Sequence, residues 1–244
     1  MLAFSALYQT ASRRLLIQKR SRIRTVRLPL IVVLATSVTL CAQQPPPPAG
    51  GRGAAPSLPN TQWVKLFNGV DLTGWQTVGA EKWVVEDGVI HGYAVTRAYG
   101  YLQTVKDYKD FQLSLRFKCV GNGNSGVFFH TRFKPGTVDV SQGLQFEIDA
   151  TPNQHTGGIY GDGRQWIAWP AVENEYVLRQ QDWNEYLLIV QGNHYVSRLN
   201  GVTIVDFTDP TPKSFDGTIA LQLHSGGSGN MEFKDIYLRD MSVR

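Results

Sequence analysis

The sequence predicts an all-β fold, a two-sheet antiparallel jelly-roll sandwich. Three observations lead there. From Trp63 onward apolar and polar residues alternate with a period of two, and helical periodicity is almost absent. Turn residues interrupt the alternation roughly every eight to twelve positions, the spacing of short strands in a sandwich. Glu86-Asp87-Gly88 and Leu199-Asn200-Gly201 carry the chemistry of tight hairpins, where the backbone needs a residue at positive φ. Hairpins without crossover helices imply two antiparallel sheets packed face to face.

The strands follow in order. Residues 82–86 and 89–93 flank the first hairpin turn. The alternating run 111–120 keeps Cys119 on its apolar side, which reads as a core thiol. Along 126–133, Val127, Phe129 and Thr131 share one side and Phe128, His130 and Arg132 the other. In 144–149, Leu144, Phe146 and Ile148 turn to the core, which sends Gln145, Glu147 and Asp149 outward. Strands at 184–191 and 194–199 follow, and the second hairpin turn leads into 202–207. In 218–223, Ile219, Leu221 and Leu223 point in, while Ala220, Gln222 and the following His224 point out. A last strand covers 231–239. Strands 126–133, 144–149 and 218–223, if neighbours in one sheet, therefore build a polar, ionisable floor opposite the core.

Charge and processing signals divide the chain. Its 244 residues carry a formal charge of +4. Seven basic residues stand before position 45, where there is no Asp or Glu; the rest holds 17 basic against 20 acidic side chains. The basic excess belongs to the N-terminus, which removes the argument for a nucleic-acid partner. Residues 28–40 form an apolar run behind that basic stretch, too short to span a bilayer comfortably and matched to an export signal. Cleavage after Ala42 leaves a soluble exported protein. Cleavage before Cys41 leaves a lipid-anchored one, the only membrane attachment expected apart from an uncleaved anchor, although Leu40 is a poor lipobox residue. The expected organisation is an export segment at 1–44, a Pro/Gly-rich linker at 45–60 and one catalytic sandwich at 61–244, in the periplasm or outside the cell. Soluble processing leaves Cys119 as the one remaining cysteine, so no disulfide framework and no cysteine-rich metal site is expected.

The candidate site gathers on the polar floor. Glu147 and Asp149 are paired carboxylates one alternation apart, and His130 and His224 add imidazoles. Together these four are a candidate ligand set for a divalent metal ion acting as Lewis acid, although no recognisable metal-ligand spacing supports it. Arg132, Gln145 and Gln222 add hydrogen-bonding groups to this floor, and Asn124 stands either at the start of a strand or in a loop that presents its amide. The glycine-rich segment 156–169 adds Tyr160, Trp166 and Trp169, whose rings suit the apolar faces of sugars or the packing of the core or a lid. His91, His155 and His194 read as surface histidines. Glu147-Ile148-Asp149 invites comparison with family-16 glycoside hydrolases, which carry a strand-borne Glu-x-Asp-x-x-Glu. Here the chain continues Ala150-Thr151-Pro152, so the second glutamate is missing and ordinary retaining hydrolysis is disfavoured.

Leu66-Phe67-Asn68-Gly69-Val70-Asp71-Leu72-Thr73-Gly74-Trp75 resembles the opening of the 3-keto-disaccharide hydrolase family, also described as 3-keto-glucoside 1,2-lyases and 3-keto-2-hydroxy-glucal hydratases. The resemblance runs on through Trp83-x-Val85-Glu86-Asp87-Gly88, Gly123-Asn124-Ser125-Gly126-Val127-Phe128-Phe129 and Gln145-Phe146-Glu147-Ile148-Asp149. It continues in Thr156-Gly157-Gly158-Ile159-Tyr160-Gly161 and Ile219-x-Leu221-Gln222-x-His224, and covers roughly residues 63–240. It implies a concanavalin A-like jelly roll. It also implies cleavage of 3-keto-glycosides, in which the ketone acidifies the C2 hydrogen, a base removes it, the aglycone leaves from C1 and water then adds. Glu147 or His224 is then the expected base, with Asp149 orienting or charge-stabilising a partner. His130, Arg132 and Gln222 hold sugar oxygens or the developing enolate. An oxidised glucoside or disaccharide is the expected substrate, made by a separate glycoside 3-oxidoreductase. A non-catalytic carbohydrate-binding module and a conventional glycosidase remain the alternatives.

Overall fold

Alternation becomes strand wherever one side of the chain is buried. In the run Phe111–Val120, Phe111, Leu113, Leu115, Phe117 and Cys119 are buried, while the residues between them keep contact with solvent. The computed structural model describes residues 62–121, 123–151, 155–226 and 229–242. The expected export segment, its Cys41 and the linker at 45–60 lie outside the described residues.

Sixteen strands follow in chain order: β1 (Val64–Lys65), β2 (Trp75–Val78), β3 (Lys82–Glu86), β4 (Val89–Tyr93), β5 (Gly100–Thr104), β6 (Phe111–Val120), β7 (Asn124–Phe133), β8 (Val140–Ser141), β9 (Leu144–Asp149), β10 (Ile159–Gly161), β11 (Trp166–Ala168), β12 (Asn184–Gln191), β13 (His194–Leu199), β14 (Val202–Thr208), β15 (Thr218–Leu223) and β16 (Asn230–Asp240). The helical content of the described residues is one short 3-10 segment, Val172–Val177. One sheet runs β14-β13-β12-β6-β16-β4-β3 with β1 beside β16. The other runs β11-β10-β9-β7-β15-β5-β2 with β8 beside β7. The two facing sides enclose a core that includes Phe117, Phe129, Phe146, Tyr186, Tyr195 and Phe233. This is the antiparallel sandwich that the alternation predicts. Cys119 lies inside it, where burial pushes its thiol up to about 12, so it packs rather than reacts.

All ten predicted strands are present, with differences of one or two residues at some ends. The unpredicted strands are short or lack alternation. β5 is the informative case. Gly100, Tyr101, Leu102 and Thr104 are all buried, because both of its faces are covered. On its outer face Tyr101 joins Phe128 and Ala220, with Val78, Phe133, Val138 and Val140 packed against them, in a second small apolar cluster. That cluster fills one part of the outer face of the second sheet and confines the polar floor to the rest. Among the described residues no helix is long and apolar enough to cross a membrane.

The main departure from the sequence reading is in β7. Thr131 pairs with Thr218 and Phe128 with Ala220, so β7 carries one residue more than β15 over this stretch. His130 absorbs the extra residue at φ 50°. A bulge of this kind reverses the parity of every residue after it.

Candidate functional site

Strands β9, β7 and β15 are adjacent in the second sheet, so their register decides which outward side chains meet. Phe128 sits between Gln145 and Ala220, and Gly126 lies opposite Glu147. Gln222 pairs with Tyr101 on the next strand. Gly126 makes this arrangement workable, because a Cβ there would stand 2.1 Å from Oε1 of Gln145. With no side chain at 126, the Gln145 amide lies across β7 and donates from Nε2 to Oε2 of Glu147 at 2.7 Å. Asn124, at the start of β7, donates from Nδ2 to the other carboxylate oxygen at 3.0 Å.

A cavity of about 300 Å³ opens above this floor, lined by Tyr99, Tyr101, Asn124, Phe128, Gln145, Glu147, Asp149, Tyr160, Trp166, Gln222 and His224. Two larger grooves, about 590 and 740 Å³, lie elsewhere. The first is lined by Arg116, Glu185 and Asp235, which are exposed and paired with one another, and the second holds no carboxylate or histidine. The smaller cavity is the chemically distinctive one because its carboxylate is hidden. Glu147 is only 5% exposed. Burial, reinforced by the nearby negative charge of Asp149, pushes its carboxyl up to about 8 against the pull of the Asn124 hydrogen bond. Tyr186 supports the strand from beneath, its hydroxyl donating to the Glu147 backbone carbonyl at 3.0 Å.

Three buried acceptors complete the floor. Oδ1 of Asn124, Oε1 of Gln145 and Oε1 of Gln222 have no hydrogen-bond partner within the protein. Buried amide oxygens are costly to leave unpaired, and a polyol offers the donors that they lack. Tyr101 provides the opposite polarity: burial pushes its phenol up to about 12, which keeps the proton on and the hydroxyl a donor at neutral pH. His224, just beyond β15, holds its Nδ1 3.0 Å from the Ser225 carbonyl. That contact places a proton on Nδ1, and Nε2 lies 3.5 Å from the Tyr99 hydroxyl.

Eight of the ten residues read from the sequence as the site thus line one cavity: Glu147, Asp149, His224, Asn124, Gln145, Gln222, Tyr160 and Trp166. His130 and Arg132 do not. The β7 bulge turns His130 toward Phe111 and Phe129, where it is 3% exposed and its Nε2–H donates to the Lys109 carbonyl at 2.7 Å. Burial pulls its pKa down, so it stays neutral. Arg132 emerges at the surface between Asp107 and Asp216, at 2.8 and 3.0 Å. The four-residue metal set proposed from the sequence therefore does not assemble, and among the described residues no three His, Cys, Asp or Glu side chains converge as a metal site. The sequence reading missed Tyr99 and Tyr101; a Tyr-x-Tyr pair at the start of a strand is the signal that points to them.

Comparison with known proteins bears on the family and the fold. The profile of the 3-keto-alpha-glucoside-1,2-lyase-like domain family matches residues 62–239. A 3-keto-disaccharide hydrolase of Bacteroides thetaiotaomicron is 31% identical over 77 residues, 28% of this chain and 27% of that protein. The match thus spans about a quarter of that relative's length. Among solved structures, a Parabacteroides distasonis protein provisionally named a glycosyl hydrolase is 23% identical with a TM-score of 0.58, over 73% of this chain and 94% of that one. A Bacillus subtilis protein with a galectin-like fold is 15% identical with a TM-score of 0.60, over the same shares of 73% and 94%. The two structural likenesses establish the fold.

Proposed function

The chain belongs to the 3-keto-alpha-glucoside-1,2-lyase-like domain family, and from that membership and the chemistry of its cavity we propose that it cleaves 3-keto-glycosides by elimination and rehydration. The observation that carries this reading is Glu147. It is a buried carboxylate, held by two amide donors and pushed up to about 8, at the floor of a cavity with three unpaired amide acceptors. A carboxylate with raised proton affinity is a stronger base than an ordinary one, and about a tenth of it is ionised at pH 7, rising with pH. A non-catalytic sugar-binding module has no use for one.

In this reading Glu147 takes the C2 proton of a glucosyl unit already oxidised at C3. The C–H electron pair becomes the C2–C3 double bond and the negative charge rests on the C3 oxygen. Tyr101 and the amide N–H groups of Gln222 donate to that oxygen as charge develops. The enolate then collapses, the C1–oxygen bond breaks and the aglycone leaves with its bonding pair, taking up a proton. His224, just beyond β15, lies two strands away from Glu147, and Tyr99, just before β5, one strand further; both hold hydroxyls of the oxidised ring on its C3 side, and the aglycone oxygen, on the other side, takes its proton from water. Water adds its hydroxyl at C1 and a proton at C2, so the sum is hydrolysis. Asp149 keeps Glu147 basic by like charge. No step needs the second glutamate of a retaining glycosidase. The ketone is supplied by a separate oxidoreductase that removes hydride from C3, and the enzyme works after export.

The test gives the full-length protein a 3-keto-glucoside and its unoxidised parent in deuterated water, with and without chelator. The expected result is aglycone release from the keto compound alone, with solvent deuterium at C2 of the 3-keto-glucose formed and loss of turnover in Glu147→Gln. Cleavage of the unoxidised parent, or a product that retains the original C2 hydrogen, overturns the reading.

A further inference from the structure

The walls of the cavity are unequal. Toward β5 and β8 it is closed by the apolar cluster of Tyr101, Phe128 and Ala220. Toward β10 and β11 it continues into aromatic side chains. Trp166 lines the cavity and stacks on Trp169, with ring centroids 4.5 Å apart and planes 28° apart. Trp169 is 55% exposed. A large indole with half its surface in water forgoes much of the benefit of burial, so an exposed tryptophan that is also held rigidly needs an explanation.

It is held rigidly. His155 meets both indoles edge-on, at 5.1 and 4.7 Å, and its Nδ1 lies 2.9 Å from Oε1 of Glu175 in the 3-10 segment. Tyr160 packs edge-on against Trp166 at 5.3 Å. Gly158 admits the Trp166 ring, since a Cβ there would stand 2.8 Å from it. The turn between β10 and β11 is tied down by Arg164, whose guanidinium bonds the carboxylates of both Asp162 and Asp209. Those two carboxylates are almost wholly buried. This support keeps in place a surface that the core does not use.

We infer that Trp166 and Trp169 form a platform leading out of the cavity that binds the aglycone, and that it selects aglycones presenting a flat ring face, either the C–H face of a second pyranose or an aromatic ring. The inference rests on the proposed cleavage of 3-keto-glycosides and adds the part of the substrate read outside the reacting sugar. The polar floor, with its unpaired amide oxygens, takes the oxidised ring. The closed wall leaves the β10–β11 side as the way out, and the first surface met there is aromatic. Indole faces suit both ring types by stacking and by C–H contact.

The test measures kcat/KM of the full-length protein and of Trp169→Ala and Trp169→Phe on three 3-keto-glucosides, with methyl, phenyl and glucosyl aglycones. Each variant is compared with the wild type on the same substrate, so leaving-group ability cancels. The expected result is a loss in Trp169→Ala about tenfold greater for a ring aglycone than for methyl, with most of it restored in Trp169→Phe. A selective loss on glucosyl alone or phenyl alone supports the platform and identifies the face it reads. An equal loss on all three, or no loss on either ring aglycone, overturns it. Turnover of the methyl substrate by the wild type tests the proposed activity separately, so failure of the chemistry and failure of the platform give different results.

Discussion

Replacing Glu147 with Gln should abolish the proposed activity and, at alkaline pH, stabilise the protein. The folded state raises this carboxyl from 4.5 to about 8. Below pH 4.5 both folded and unfolded chains hold the proton, and the group contributes no pH dependence. Between 4.5 and 8 the unfolded chain ionises while the folded one keeps its proton, so stability falls by up to about 1.4 kcal/mol per pH unit. Above 8 the folded protein carries the full penalty of a buried charge, about 5 kcal/mol relative to acid pH. The neutral amide of the Glu147→Gln variant carries none of it. The variant has a fixed offset of its own, because Asn124 and Gln145 both donate to residue 147. One of them must turn its unpaired oxygen toward the new amide, a change of about 1 kcal/mol that does not vary with pH. The assay is urea unfolding followed by tryptophan fluorescence at intervals from pH 4 to 9. Other titrating groups are common to both proteins and cancel in the difference. The wild type should lose about 5 kcal/mol against the variant across that range. Parallel stability profiles, or a wild type that gains on the variant with rising pH, refute the account of a desolvated carboxylate.

The remaining predictions concern its neighbours. Asp149→Asn removes the like charge that helps hold Glu147 up, so the rise of kcat/KM with pH should move to lower pH; an unmoved profile separates the two carboxylates. Gly126→Ala places a methyl where the Gln145 amide lies and should cost about a hundredfold in kcat/KM through a displaced Glu147. Its effect on the urea midpoint should correspond to about 1 kcal/mol or less, since a mobile side-chain end can swing clear. Asp209→Asn should cost about 3 kcal/mol near neutral pH, measured by urea unfolding, because it breaks one arm of a largely buried ion-pair network. The Arg164 guanidinium holds the Asp209 carboxyl below its usual range. Its contribution is therefore complete above about pH 3.9 and is lost as the pH falls through the lower folded value, so the gap between wild type and variant should close in acid.

How much of the site was legible depended on the strand. In β9 and β15 the ladder is unbroken around the key positions, so counting by twos placed Gln145, Glu147 and Gln222 on the outer face, where they meet. The same count failed in β7 at one residue. His130 adopts positive φ, and from there inward and outward exchange places, which removed His130 and Arg132 from the cavity. The only sequence hint is that His is among the residues somewhat enriched at positive φ. Tyr99 and Tyr101 were missed for another reason. β5 is buried on both faces, so its residues show no alternation, and only the pairing with β15 brings Tyr101 beside Gln222.

The sequence by itself determined the sandwich, its principal strands and the membership of most of the polar floor. These follow from the alternation of side chains along a strand, a local property that survives whatever the strand packs against. Only the tertiary structure decided that Glu147 is a buried carboxyl of raised proton affinity rather than a surface charge, and that Trp166 and not His130 lines the cavity above it. Proton affinity depends on burial and on neighbouring charge and hydrogen bonds, and burial is a sum over groups brought together by the fold. Here β7 brings Asn124 to the carboxylate from 23 residues away and the sheet buries it, while Asp149 on the same strand adds its charge.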